Sequence, residues 1–185
     1  MHPQPLKNLA AAVVMVFAMA QTSVSYAANR AELNKRVTAT KNEFTALKPA
    51  NASLLNKAAG VLIFPRITKG GVGVAAQYGE GALQVGGKTV NYYRISAASV
   101  GLTLGVAQHS EILMFMTPAA LKKFSDSENW AIGADAGITI VKESVNGSYD
   151  SLTENKPILA FAFAEKGLIG DLSLEGSKIT KSKNK

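Results

Sequence analysis

From Gly60 to Ile95 the chain reads as short apolar runs cut by glycine pairs and by Pro65, with most of its charges at the breaks. This punctuation predicts consecutive β-strands joined by tight turns. Val72, Val74, Ala76 and Tyr78 alternate with Gly71, Gly73, Ala75 and Gln77. Val100, Leu102, Leu104 and Val106 alternate in the same way with Gly101, Thr103, Gly105 and Ala107. Large and small residues in alternation suit a curved sheet packed closely on one face. Gly79-Glu80-Gly81 and Gly86-Gly87 are expected as turns. Residues 89–95 and 112–116 read as further strands, and residues 130–141 as a long one bent at Gly133 and Gly137. Asn146-Gly147 is the strongest hairpin signal, and residues 158–164 and 168–174 pair around Glu165-Lys166-Gly167.

Ahead of the strands the period changes. Leu33, Val37, Phe44 and Leu47 recur at helical spacing, while Arg30, Lys35, Arg36, Lys41 and Lys48 fall mostly off that stripe. The pattern predicts an amphipathic helix ended by Pro49. A second short helix is expected over residues 53–59, with Ser53 as its N-cap and Gly60 as its stop. Thr117-Pro118 opens a third, running to Phe124, with Thr117 as cap and Pro118 at the first helical position. The Lys-rich tail from Ser177 is expected to fray. The fold class is α+β: a strongly coiled or barrel-like antiparallel β-sheet of about eight strands, with N-terminal helices and one short inserted helix.

Residues 1–27 stand apart. Lys7 makes the leader basic, Leu9 to Ala20 is uninterruptedly apolar, and Ser25-Tyr26-Ala27 offers small residues where a signal peptidase reads. That run falls short of the roughly 20 residues that span a bilayer, so a cleaved signal peptide is expected. Residues 28–50 then form the amphipathic helical segment, 51–180 a single β-rich domain and 181–185 a flexible basic tail. The expected location is the periplasm or cell envelope, peripheral to the membrane. The chain has no cysteine, so a lipid-anchored lipoprotein, a thiolate metal site and a Cys nucleophile are not expected. A formal charge of +7 suits an anionic partner, among them lipid headgroups, glycans and nucleic acid, or serves solubility alone.

Candidate chemistry is sparse. His109 is the histidine outside the leader. Alone it cannot build a multi-histidine metal site, and Gln108-His109-Ser110-Glu111 reads as a loop between strands. A surface or hydrogen-bonded structural role is therefore favoured over a catalytic one. Thr68-Lys69-Gly70-Gly71-Val72-Gly73 superficially resembles a phosphate-cradling loop but lacks the Walker spacing and the following helix. A hairpin turn is the default there, with backbone N–H groups able to meet a headgroup phosphate. Asp135, in an otherwise apolar strand, reads as structural. The basic helix reads either as a membrane-surface element or as a cover for one side of the sheet.

Several of these segments resemble the SYLF (Ysc84-like) domain family. They are Gly60-Val61-Leu62-Ile63-Phe64-Pro65, Thr68-Lys69-Gly70, Gln77-Tyr78-Gly79-Glu80-Gly81, Gly86-Gly87-Lys88-Thr89-Val90 and Tyr92-Tyr93. Phe115-Met116-Thr117, Glu165-Lys166-Gly167-Leu168 and the run from Leu172 to Ile179 continue the series. Each is short, and their order and joint spacing from Asn51 to Thr180 carry the likeness. The resemblance implies lipid binding without catalysis or a cofactor; some members bind actin filaments, and bacterial relatives are exported single-domain proteins. Bacterial envelopes generally lack phosphoinositides, so anionic phospholipids at a membrane surface are the expected partners, and nucleic acid is not.

The contact residues expected from this are Lys35, Arg36, Lys41 and Phe44 on the N-terminal helix, with Val37 and Phe44 inserting, and Lys69, Lys88 and Lys166 at the matched turns. The alternative function is a carrier of a small apolar ligand held within the sheet. An outer-membrane barrel fits less well, because the strands are uneven and aromatic girdles are missing.

Overall fold

The stripe of Leu33, Val37 and Phe44 forms helix α1, residues 29–47, in the computed structural model, which describes residues 29–132, 137–141, 156–164, 167–168 and 176–182. Helix α2, Pro49–Lys57, starts earlier than the Ser53 cap expected, after an extended Lys48 with φ −152° and ψ 139°. Proline has no N–H to offer and its fixed φ suits a first helical position. Pro49 therefore both stops α1 and starts α2. Buried Asn51 fastens the corner, its Nδ2 donating to the Phe44 carbonyl at 2.7 Å.

Two strands of unusual length replace the several short ones expected. Strand β1 is Gly60–Val85, 26 residues, and β2 is Lys88–Phe115, 28 residues. They pair antiparallel through the Gly86-Gly87 turn, where φ is 57° and 77°, as the turn signal predicts. Gly79-Glu80-Gly81 is not a turn: Gly79 pairs with Ile95 and Gly81 with Tyr93 inside the ladder. These glycines serve close approach instead. A Cβ on Gly81 would lie 2.5 Å from both the Ile63 carbonyl oxygen and Phe64 Cδ1, and one on Gly79 would lie 2.8 Å from Ile67 Cγ1. The later part of β1 thus returns across its own beginning. The ribbon folds over between them, where the register shifts at Val72/Val74 and Gly105 adopts φ 111°. Bulges and glycines permit such a bend without breaking the strands.

The remaining strands are β3 Asn129–Ala131, β4 Ile138–Ile140, β5 Ile158–Ala164, β6 Gly167–Leu168 and β7 Lys178–Lys181. Among the described residues they complete one seven-stranded sheet, a strongly curled half-barrel. Its order is β3-β7-β2-β5-β4, with β1 on β2 and β6 on β5. The sheet is mixed rather than wholly antiparallel, since β4 runs parallel to β5. The single long strand expected over residues 130–141 is two, β3 pairing with β7 and β4 with β5. Of the expected hairpin of residues 158–164 with 168–174, the rungs Phe163–Leu168 and Ala164–Gly167 are present, and residues 165–166 and 169–175 lie outside the described residues. Over its described residues, 177–182, the tail does not fray. Ile179 is 1% exposed, and burying it holds β7 between β3 and β2. Gly133, Asp135, Asn146-Gly147 and Lys166 lie outside the described residues.

Apolar side chains cover both faces of the sheet centre, which is why residues 61–64, 112–115 and 158–163 are continuously buried. On one face Val37 and Phe44 of α1 meet Ile63, Ile112, Phe161 and Phe163. On the other, helix α3, Pro118–Ser125, presents Phe124 to Phe115 at 4.7 Å and to Tyr93 at 4.9 Å between ring centroids. Thr117 caps α3 as predicted, its Oγ1 accepting from the Ala120 N–H at 3.2 Å.

Tyr93 is 1% exposed and its hydroxyl has no protein partner among the described residues. Burial raises its pKa above 10.0. The sign follows: stability tied to the neutral phenol is fully present below pH 10.0, the unfolded value, and is lost as pH rises through the higher folded value. Tyr93→Phe removes the unpaired hydroxyl and should raise stability by about 1 kcal/mol. Urea titrations at neutral pH and at about pH 11 check this, the variant keeping its advantage and widening it in alkali.

Candidate functional site

Because α1 turns its apolar stripe to the sheet, its cations face outward along the helix–sheet boundary. Arg36 lines a groove of about 300 Å³ with Glu32, Leu33, Pro65, Arg66 and Tyr78. An adjoining groove of about 290 Å³ shares Leu33 and Glu80 with it and adds Arg30, Tyr92 and Arg94. Arg36 Nε lies 3.1 Å from Glu32 Oε1, and Arg94 Nε lies 3.3 Å from Glu80 Oε1. The Arg30 guanidinium sits 4.4 Å from the Tyr92 ring centroid. These exposed pairs add little stability but offset part of the positive charge. Arg66 has no ion-pair partner among the described residues.

Tyr78 donates to Glu80 Oε1 at 3.0 Å. Its pKa is raised above 10.0 by partial desolvation first, then by the hydrogen bond to and charge of Glu80, against an opposing pull from Arg94. Tyr78 is therefore a neutral phenol at physiological pH, with an apolar ring and a polar end.

The sequence-predicted residues fall into separate places. Arg36 and Arg66 line one groove, whereas Lys69 stands three residues further along β1, opposite Ala107, and does not line it. Lys41 lines another groove, of about 330 Å³, with Gln84, Gly86 and Gly87, and the exposed Lys88 follows that turn. Lys35 is exposed on α1.

Phe44 requires correction. It is 0% exposed, edge-on to Phe161 at 4.9 Å and 5.7 Å from Phe163, and Val37 is likewise 0% exposed. The stripe that suggested insertion into a bilayer covers the aromatic row of β5, so those two side chains belong to the core.

Sequence reading missed Arg66 and three valines. Val72 is 78%, Val74 58% and Val106 74% exposed, although the large–small alternation suggested a packed face. The overlooked signal is charge distribution: residues 66–79 and 95–110 contain no carboxylate, and their formal charges are Arg66 and Lys69.

His109 lies within β2 rather than in a loop, buried, with Nε2 2.8 Å from Glu111 Oε1. Residues two apart on a strand share a face, so the pair forms within one strand and His109 is hydrogen-bonded. Among the described residues, no group of three or more His, Cys, Asp or Glu side chains is placed to hold a metal ion, and no helix is long and apolar enough to cross a membrane.

Fold and surface together define a small α+β protein built on one curled sheet, with a charged groove, Arg36 and Arg66 beside Glu32 and Glu80, where the first helix meets it. Residues 96–185 match the family described as Ysc84, Las17-binding protein actin regulator, so this part of the chain is similar to that family. The match takes in the chain from the middle of β2 onward. Of the expected contact residues, Lys166 alone falls within it. No curated protein matches the chain.

Proposed function

We propose that this chain is a non-catalytic, exported protein that attaches peripherally to anionic phospholipid surfaces of the cell envelope. The observation that carries the reading is the β1 flank bearing Arg66 and Lys69, two cations in a stretch without carboxylates, with Arg36 lining the same groove as Arg66. Each cation held near an anionic surface contributes about 1 kcal/mol, so a handful give modest, salt-sensitive attachment. Apolar side chains of two clusters fill both faces of the sheet centre, which favours a surface ligand over a small molecule held within the sheet.

Replacing both Arg66 and Lys69 by glutamine should weaken binding to phosphatidylglycerol vesicles by about 2 kcal/mol, roughly thirtyfold. Both sites face solvent at least in part, so the thermal midpoint should hold within a few degrees. Unchanged vesicle affinity in the double variant would count against this flank. The family description favours a second reading, a protein partner of the Las17 or actin-regulating kind. A chain that ignores vesicles of every composition but binds actin filaments would support it.

A further inference from the structure

We infer that the fold-over tip of the β1–β2 ribbon is the segment that enters the bilayer, an inference that rests on the membrane-surface reading above. The tip consists of residues 70–74 of β1 and 100–106 of β2, paired from Gly70 opposite Val106 to Val74 opposite Val100.

Three observations point to a lipid partner. First, Val72 and Val106 are the most exposed large apolar side chains among the described residues, with Val74 close behind. Strand geometry puts Val72 on the same ribbon face as Gly70 and its partner Val106. A Cβ added to Gly70 would lie 3.3 Å from Val106 Cγ2, which bears out that shared face. Second, polarity is graded along the ribbon. The Thr68–Gln108 rung, joined by a side-chain hydrogen bond of 3.4 Å, lies at the base, and the valines follow beyond it. Third, Arg66 and Lys69 flank the base and no carboxylate occurs in either strand of this stretch. An anionic headgroup layer complements that arrangement, cations at the phosphates and valines below them.

The dimensions fit. Five residues of extended chain separate buried Ile67 from Val72, a reach on the order of 16 Å. Interfacial segments sink roughly 5–10 Å into the headgroup–acyl boundary. Tyr78, 51% exposed on the returning stretch of β1, is an amphipathic ring of the kind that settles at that boundary. Glycine at positions 70, 71, 73 and 105 keeps the tip narrow. A Cβ on Gly71 would fall on the carbonyl oxygen of Val74, so the bend itself requires the small residue.

The chain's lack of cysteine makes the test direct. Val72→Cys in the full chain is labelled with an environment-sensitive fluorophore, and Ala119→Cys, at an exposed position of α3, is labelled as the control. Each is mixed with phosphatidylglycerol vesicles carrying brominated acyl chains, and binding is measured in parallel by co-sedimentation. The expected result is a blue shift and bromine quenching at position 72 and neither at 119. Val72→Asp should weaken co-sedimentation by about tenfold or more with the thermal midpoint held. Co-sedimentation with position 72 unquenched overturns the inference and leaves the surface reading standing. Absence of co-sedimentation overturns both.

Discussion

Phe44→Ala is expected to lower the stability of the chain by about 3–5 kcal/mol, the cost of removing a large aromatic side chain from a packed core. The site is 0% exposed, and the ring is packed edge-on to Phe161 and tilted against Phe163. Those contacts join α1 to β5, two elements far apart in sequence, so the hole left behind cannot be filled by a local shift. A loss of that size is a large part of the roughly 5–15 kcal/mol that holds a domain folded. Urea denaturation of the full chain measures it. The same experiment separates two roles for the residue: a membrane-inserting phenylalanine would be exposed before binding, and its removal would leave the urea midpoint unchanged while weakening vesicle affinity.

Gly81→Val should be at least as disruptive, costing upward of about 3 kcal/mol or preventing folding altogether. The added Cβ meets the Ile63 carbonyl oxygen and the Phe64 ring at 2.5 Å. Phe64 is 0% exposed, so neither the backbone atom nor the ring is free to yield. Gly86→Ala is the informative companion. Gly86 has φ 57° with nothing near its missing Cβ, so the cost is conformational alone, about 1 kcal/mol. A large gap between the two variants in thermal melts identifies Gly81 as a contact glycine. Equal, small effects would contradict the crossing of β1 over its own start.

That crossing also marks how far the sequence could be read. Helix α1, the Thr117 cap of α3, the Gly86-Gly87 turn and the curled α+β sheet were legible, because local chemistry determines each. Gly79 and Gly81 look like turn residues in one dimension, yet they mark the place where one strand passes another part of itself. The distinction depends on Ile63, Phe64 and Ile67, which lie more than ten residues earlier. Residues 178–181 illustrate the same limit. A lysine-rich terminus reads as solvated, and only the pocket awaiting Ile179 makes it a strand between β3 and β7's other neighbour, β2.

The candidate site was legible as chemistry but not as place. The basic helix was correctly seen as amphipathic, but its stripe fitted two destinations, a membrane or the sheet, and the aromatic row of β5 decides for the sheet. With that stripe used in the core, the exposed apolar surface shifts to Val72, Val74 and Val106, whose large–small alternation resembles that of a packed strand. Lys69 was identified from its turn-like surroundings, whereas Arg66 became visible only once the fold placed it beside Arg36.

The most direct test of membrane attachment is co-sedimentation of the full chain with vesicles of neutral or anionic lipid, each at low salt and at about 0.5 M salt, where the Debye length falls well below 10 Å. Deleting α1 would not serve, because it would strip Val37 and Phe44 from the core. Binding to anionic vesicles at low salt, weakened by added salt and absent with neutral lipid, is the predicted result. Equal binding to neutral and anionic vesicles, or none to either, would contradict the account.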